Sequence, residues 1–301
     1  MSTDDDFDID EPELTSDDLL VLDDPRFTPD TVAIVTGAAS GIGEATALAL
    51  AANGLTTVGI DVDEGGLDAT AELADDLALP GEFVAAPADL TDDEAVERAV
   101  DGAAERGDLR YVANIAGLQH IAAIENFPME QYDVMQSVMV RAPFLVAKHA
   151  IPHIETTDDA TGAIANMASV HGHYATQDKA SYITAKHALH GLTRSIAAEG
   201  EGSLRGFSVS VGYVLTPLMV NQIADTATER GIGERRVVED VMLGQARTKE
   251  MMMPAEVANL FVLMMTPAEV ANLFVFGFSG HAKHLNGGDL LFDGGYTHTY
   301  E

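Results

Sequence analysis

From residue 31 onward, short apolar runs alternate with longer Ala-rich segments whose apolar positions recur at helical spacing. The apolar runs are TVAIVT (31–36), TTVGID (56–61), EFVAAP (82–87), YVANIA (111–116), AIANMA (163–168), FSVSVG (207–212) and DLLFDG (289–294). Between them lie helix-length stretches at 41–53, 64–78, 91–106, 130–151, 179–199 and 234–250. Strands alternating with helices in this way predict βαβ units, and therefore a mostly parallel seven-stranded sheet covered by helices on both faces. The expected fold class is α/β: one doubly wound domain over 31–301.

Two segments fall outside that rhythm. Residues 1–30 are acid-rich, carry three prolines, and read as a flexible extension outside the core. The nonapeptide PAEVANLFV occurs at 254–262 and again at 267–275, a local tandem duplication over 254–275 with too short a period for a solenoid. Counting back from DGG (293–295), the second copy has the place of the last helix before the final strand. A proline inside a continuous helix would cost about 3 kcal/mol, so two short helices are expected, breaking near Met265–Pro267.

Composition narrows the function. Lys and Arg total 16 against 49 Asp and Glu, a formal net charge of −33, yet 47% of residues are hydrophobic, enough for a sizeable core. The charge must therefore lie on a folded surface, as in halophile-type proteins, where salt near 1 M shortens the Debye length to about 3 Å. No basic stripe exists to neutralise phosphates, so no nucleic-acid partner is expected. No apolar run reaches the ~18 residues of a membrane span, and the first residues lack a leader pattern, so no membrane partner and a cytoplasmic location are expected. Cysteine is absent, which excludes disulfides and thiolate metal sites. HAIPH (149–153) and HAKH (281–284) have helical histidine spacing, but no Glu or Cys completes a zinc pattern, and no metal is expected. The Met-rich runs at 251–253 and 264–265 read as adaptable packing.

TGAASGIG (36–43) follows the first strand and opens a helix. Gly37 permits a tight turn, Gly41 lets backbone approach a pyrophosphate, and Gly43 allows close helix–strand packing, with Ser40 and Ile42 between them at the helix N-terminus. No Lys-Ser/Thr follows, which disfavours a phosphate-loop NTPase. Asp61 ends the next strand, where a carboxylate accepts hydrogen bonds from an adenosine ribose and repels a 2′-phosphate. NAD is expected as cofactor over NADP.

TGAASGIG, ADL (88–90), NIAG (114–117), and Ser169 with Tyr182-x-x-x-Lys186 together resemble the short-chain dehydrogenase/reductase family over 31–301. The resemblance implies a Rossmann-like fold. It places Asp89 and Leu90 at the adenine, Asn114 and Gly117 on the ribose side, and Thr216 at the nicotinamide half. It also implies Ser169, Tyr182 and Lys186 as catalytic residues, Tyr182 and Lys186 contacting the cofactor too. The physical chemistry agrees. Tyr182 and Lys186 share a helix face at i,i+4. Lowering a phenol by ~3 pKa units takes about 4 kcal/mol, and one ammonium at ~4 Å supplies on the order of that at an effective dielectric near 20. Ser169 would hydrogen-bond the substrate oxygen.

Within the family, GLQHIAAIENFP (117–128), SVHG (169–172), DKASY (178–182) and TPLMVNQI (216–223) are most similar to the D-3-hydroxybutyrate dehydrogenases. That likeness implies Gln119, His171, Lys179 and Gln222 as ligands of a substrate carboxylate, and a small hydroxy acid or keto acid as substrate. In a chain with only five lysines, Lys179 is then the carboxylate anchor and Lys186 the partner of Tyr182. Relatives are commonly tetramers, so a homo-oligomer (tetramer or dimer) is expected. Ile115 and Val211 are minor departures. Met139 is a larger one, standing where the family's active-site Asn is usual. Another reductase of the family (3-oxoacyl, sugar or polyol) and a catalytically silent NAD sensor are the competing readings.

Overall fold

The computed structural model describes residues 14–157, 161–214, 216–242 and 266–293. Seven strands form one sheet: β1 (Thr31–Thr36), β2 (Thr56–Asp61), β3 (Glu82–Pro87), β4 (Asp108–Asn114), β5 (Gly162–Met167), β6 (Leu204–Val211) and β7 (Asp289–Phe292). Their order is β3-β2-β1-β4-β5-β6-β7, with every neighbouring pair parallel. The chain reverses direction of travel between β1 and β4, the crevice where ligands of such sheets bind. The fold is thus a Rossmann-like single domain.

Both faces of the sheet are covered, so the central strands are apolar at consecutive positions. Along β1, Val32 and Ile34 enter one core layer while Ala33 and Val35 enter the other. The first layer lies under α3 (Asp93–Ala104) and α5 (Ala142–Glu155), the second under α1 (Gly41–Ala52) and α8 (Pro267–Phe278). Helix starts follow capping chemistry. Asp92 accepts from the amides of Glu94 and Ala95 ahead of α3, and Asp63 from that of Gly66 ahead of α2 (Glu64–Asp76).

The second PAEVANLFV copy forms α8, with a Thr266–Glu269 capping box and Pro267 in the first turn. Ala268, Val270, Ala271, Phe274, Val275 and Phe278 are buried. The first copy, the Met-rich runs and 243–250 lie outside the described residues.

The stretch 130–151 is helical throughout, α4 (Met129–Gln136) passing through a π-turn at Ser137–Arg141 into α5. Two other regions depart from expectation. Residues 217–230, not assigned to a helix from sequence, form α7 (Pro217–Arg230), which Thr216 caps, Pro217 opens and Gly231 closes with φ +62°. That cap-to-glycine signature was present in the sequence. Finally, residues 14–30 are not outside the core. Leu19 and Phe27 are buried, and Asn53 and Asn272 bond the backbone of Leu20 and Leu22. Burial works against the Asp24 carboxylate, but hydrogen bonds from Arg26 and the Gly280 amide outweigh it and hold the pKa at about 2. Residues 1–13 lie outside the described residues.

Candidate active site

A cleft of about 390 Å³ opens at the carboxyl ends of β1, β2, β4, β5 and β6. Of the catalytic, cofactor and substrate residues expected from sequence, all but Asn114 line it. At one end β1 turns through 37–40 into α1. Gly37 has φ +75°, and a Cβ there would lie 2.8 Å from Ala116 Cα, so the backbone path admits glycine alone. Asp61 faces this turn, accepting from the amides of Ala39 (3.2 Å) and Asp63 (3.1 Å). Asp89 accepts from the Thr91 amide and hydroxyl at 2.8 and 2.7 Å, bonds that hold its carboxyl below the usual range.

Asn114 is the exception. Its amide donates to Asn166 Oδ1 at 3.0 Å, away from the cleft, and its own Oδ1 is buried with no partner among the described residues. Asn166 donates in turn to Thr193. Asn114 ends β4 with its side chain in the sheet layer, so a direct cofactor contact is not part of this arrangement.

The bare glycine turn, the N-terminus of α1 and the acidic end of β2 fit a dinucleotide: amides for the pyrophosphate, a carboxylate for ribose hydroxyls. Lys179 and Lys186 are the only Lys or Arg side chains among the lining residues, both at the far end, so nothing beside Asp61 offsets its charge.

At that far end, α6 (Ala180–Glu199) presents Tyr182 and Lys186 opposite Ser169, which caps the short 3-10 turn Val170–Gly172. The Lys186 ammonium is buried, lies 5.3 Å from the Tyr182 ring centre, and donates to the Met167 carbonyl at 2.7 Å. Burial lowers its pKa to about 7. Burial also pushes the Tyr182 phenol up to about 12, with a Ser169 hydrogen bond opposing the rise. The expected lowering of the phenol joins Lys186 to the positive nicotinamide of bound NAD⁺, and burial is what the two charges have to offset.

The proposed carboxylate ligands cluster beside this group. Lys179 is 7% exposed and its ammonium lies over the Tyr213 ring at 5.5 Å. Burial first, and the Arg230 charge second, lower it to about 8. No acidic side chain pairs with it among the described residues, because neighbouring Asp178 is held by Arg230 at 3.0 Å. Asp178 has φ +68°, a left-handed conformation that points Lys179 inward of this ion pair at the start of α6. Gln119 Nε2 is buried without a partner among the described residues. Arg230, Asp178 and Tyr213 were not singled out from sequence. Only the fold brings α7 to the start of α6.

His171 is 3% exposed, stacks on Tyr174, meets Tyr182 edge-on at 5.9 Å, and shares a 3.1 Å hydrogen bond with Thr176. Burial, then the Lys179 charge, lower its pKa from 6.5 to about 3. The ring is neutral, so toward a carboxylate it is an N–H donor and not a cation. The unfolded chain thus binds a proton that the folded one refuses between pH 6.5 and 3, and stability falls as pH drops through that window. His171→Gln should remove about 1.3 kcal/mol of the stability lost between pH 7 and 5.5, read from urea unfolding at those two values in high salt. An unchanged loss would mean that the ring is protonated in the folded state.

Residues 31–227 match the short chain dehydrogenase family, and the chain belongs to it. It is an oxidoreductase of that family, built to use a nicotinamide cofactor. It is 34% identical to the D-beta-hydroxybutyrate dehydrogenase of Rhizobium meliloti (strain 1021) over 269 residues, 88% of this chain and 98% of the relative. It is 32% identical to the D-beta-hydroxybutyrate dehydrogenase of Cupriavidus necator over 77% of this chain and 89% of that protein. The crystal structure of levodione reductase superimposes with a TM-score of 0.79 at 28% identity, covering 91% of this chain and all of that one. No helix of the described residues is long and apolar enough to cross a membrane.

Proposed function

We propose that this oxidoreductase interconverts (R)-3-hydroxybutyrate and acetoacetate with NAD. The observation that carries the reading is a pair of buried donors beside Tyr182 and Ser169. The Lys179 ammonium and the Gln119 amide line the cleft without an acidic or acceptor partner among the described residues. An unpaired cation in a chain of net charge −33 favours a small anion. The two hydroxybutyrate dehydrogenase relatives agree in substrate class.

A bound oxidised nicotinamide would supply the hydride acceptor and a positive charge near the phenol. The chain's own residues do the rest. Ser169 donates to the substrate oxygen and steadies its developing negative charge. Tyr182 takes the hydroxyl proton. Lys186 stabilises the phenolate, anchored by the Met167 carbonyl. Lys179, Gln119, His171 and Gln222 hold the carboxylate, while Gly37–Gly43, Asp61, Asp89, Leu90, Gly117 and Thr216 form the cofactor's bed. Asp61, with no lining cation beside it among the described residues, favours NAD over a 2′-phosphorylated cofactor. The decisive assay is NADH formation from each 3-hydroxybutyrate enantiomer in molar KCl, with NADP⁺ in parallel. Turnover of the R enantiomer with NAD⁺ is expected. Equal rates with both enantiomers, or a preference for an uncharged alcohol, would overturn the substrate.

One observation favours a second reading. Met139 is fully buried in the π-turn, among Met135, Ala185 and the flank of Tyr182, and its sulfur lies 3.7 Å from where a Gly117 Cβ would stand. Thioether sulfur donates nothing and accepts weakly, so the proton path that an Asn amide supports elsewhere in the family must run over backbone carbonyls or fail. If it fails, the protein binds NADH and turns nothing over. We expect turnover to persist. Met139→Asn would then cost about 1–3 kcal/mol of stability, for an amide in an apolar cluster, without a large gain in kcat. A kcat that appears only in Met139→Asn would establish the silent reading.

A further inference from the structure

Away from the cleft, the fold brings together three side chains that no local motif joins. His173 follows the 3-10 turn that carries Ser169 and His171, His190 lies on α6 two turns beyond Tyr182, and Asp289 opens β7. One nitrogen from each ring and one carboxylate oxygen lie within 4.8 Å of one another. We infer that His173, His190 and Asp289 form a site for a divalent transition-metal ion of the zinc class.

Three features point to a ligand and not only to a hydrogen-bonded cluster. First, His190 is 8% exposed, and its Nε2 is buried with no partner among the described residues. Its Nδ1 lies 3.2 Å from Ser208 Oγ, whose hydrogen is already given to Asp289 Oδ1 at 2.7 Å. Nδ1 therefore carries the proton toward Ser208, and Nε2 keeps its lone pair beside the Gly172 backbone, with no donor among the described residues. Second, the carboxylate is fixed from behind, since Ser210 also donates to Oδ1 at 3.0 Å, while Oδ2 faces His173 Nε2 at 2.9 Å. Serine hydroxyls orienting a carboxylate in this way are the outer support that metal ligands need. Third, bonds of about 2.0–2.2 Å place neighbouring ligand atoms roughly 2.9–3.4 Å apart. The His173–Asp289 pair already has that spacing, so only one ligand must move inward.

The donor set selects the ion. Two imidazoles and one carboxylate suit Zn²⁺, Co²⁺ or Ni²⁺, whereas Mg²⁺ and Ca²⁺ prefer oxygen alone. The rings of the two histidines are 4.7 Å apart between centres. Water completes the coordination, because three protein ligands leave a position open. An ion here would tie the turn bearing Ser169 and His171 to the helix bearing Tyr182 and Lys186 and to the last strand.

The test is a Co²⁺ titration of the full chain, freed of metal by chelation and held in molar KCl. Binding is followed by visible ligand-field absorption and by calorimetry, and thermal melting is measured with and without Zn²⁺. One equivalent should bind saturably, with an absorption band of four- or five-coordinate cobalt, and Zn²⁺ should raise Tm. His173→Ala, a surface change that leaves the core intact, and Asp289→Asn should each weaken binding at least about tenfold. His153→Ala removes a separate surface His–Asp pair, at Asp101, and should change nothing. Absence of stoichiometric binding, equal affinity in His173→Ala, or loss in His153→Ala instead would overturn the site.

Discussion

Tyr182→Phe lowers kcat by about 10²–10⁴-fold, far more than it weakens NADH binding, because the main task of the hydroxyl is the substrate proton. The ring keeps its contacts with Met135, Met139 and Ala185 and its edge-on approach to His171, so the variant should fold like the parent. What it loses is the group the cleft has to ionise. Burial sets the phenol at about 12, and Lys186, itself lowered to about 7, lies 5.3 Å from the ring centre. Neither charge is comfortable alone in this setting, but phenolate and ammonium stabilise each other as a pair. The pH profile of alcohol oxidation should therefore rise toward alkaline pH in the parent and shift further that way in Lys186→Ala. Rapid-mixing kinetics with NADH fluorescence separates chemistry from binding. A Tyr182→Phe variant with parental kcat would remove the general-base role.

Lys179→Ala raises KM for 3-hydroxybutyrate by about 10–150-fold, the equivalent of 1.5–3 kcal/mol for a charge-assisted bond in a partly desolvated site, with little change in NAD affinity. The residue sits under Tyr213, with Arg230 holding the nearest acidic side chain away from it. Its pKa of about 8 gives the effect a pH signature. A lowered lysine is charged below that value and neutral above it. In the parent, KM should therefore climb as pH rises through about 8, and in Lys179→Ala it should not. Arg230→Met tests the same geometry from outside the site. With the ion pair gone, Asp178 is free to approach the Lys179 ammonium, so KM should rise while kcat holds. Parental KM in Lys179→Ala would remove the carboxylate anchor.

The strands, the glycine turn, the acidic end of β2 and the Tyr–Lys spacing were legible in the chain because each is local. Burial on both faces writes consecutive apolar residues into a strand, and a turn against a phosphate-binding helix writes glycines at fixed offsets. β1, β2 and β3 consequently match their expected bounds at both ends. What the tertiary structure alone decided are contacts between residues distant in sequence. Asn272 and Asn53 capture the backbone of 20–22, turning an acid-rich stretch into part of the core. The π-turn at Ser137–Arg141 widens one turn of a continuous helix and buries Met139. Asn114 turns to Asn166 instead of the cleft, Lys186 to the Met167 carbonyl, and Arg230 to Asp178. His173, His190 and Asp289 carry no shared spacing, and meet only because α6 packs on β6 while β7 pairs with it. Periodicity records which face of an element is buried, whereas a hydrogen bond or ion pair needs a partner's position to within a few tenths of an ångström, and packing is what supplies that.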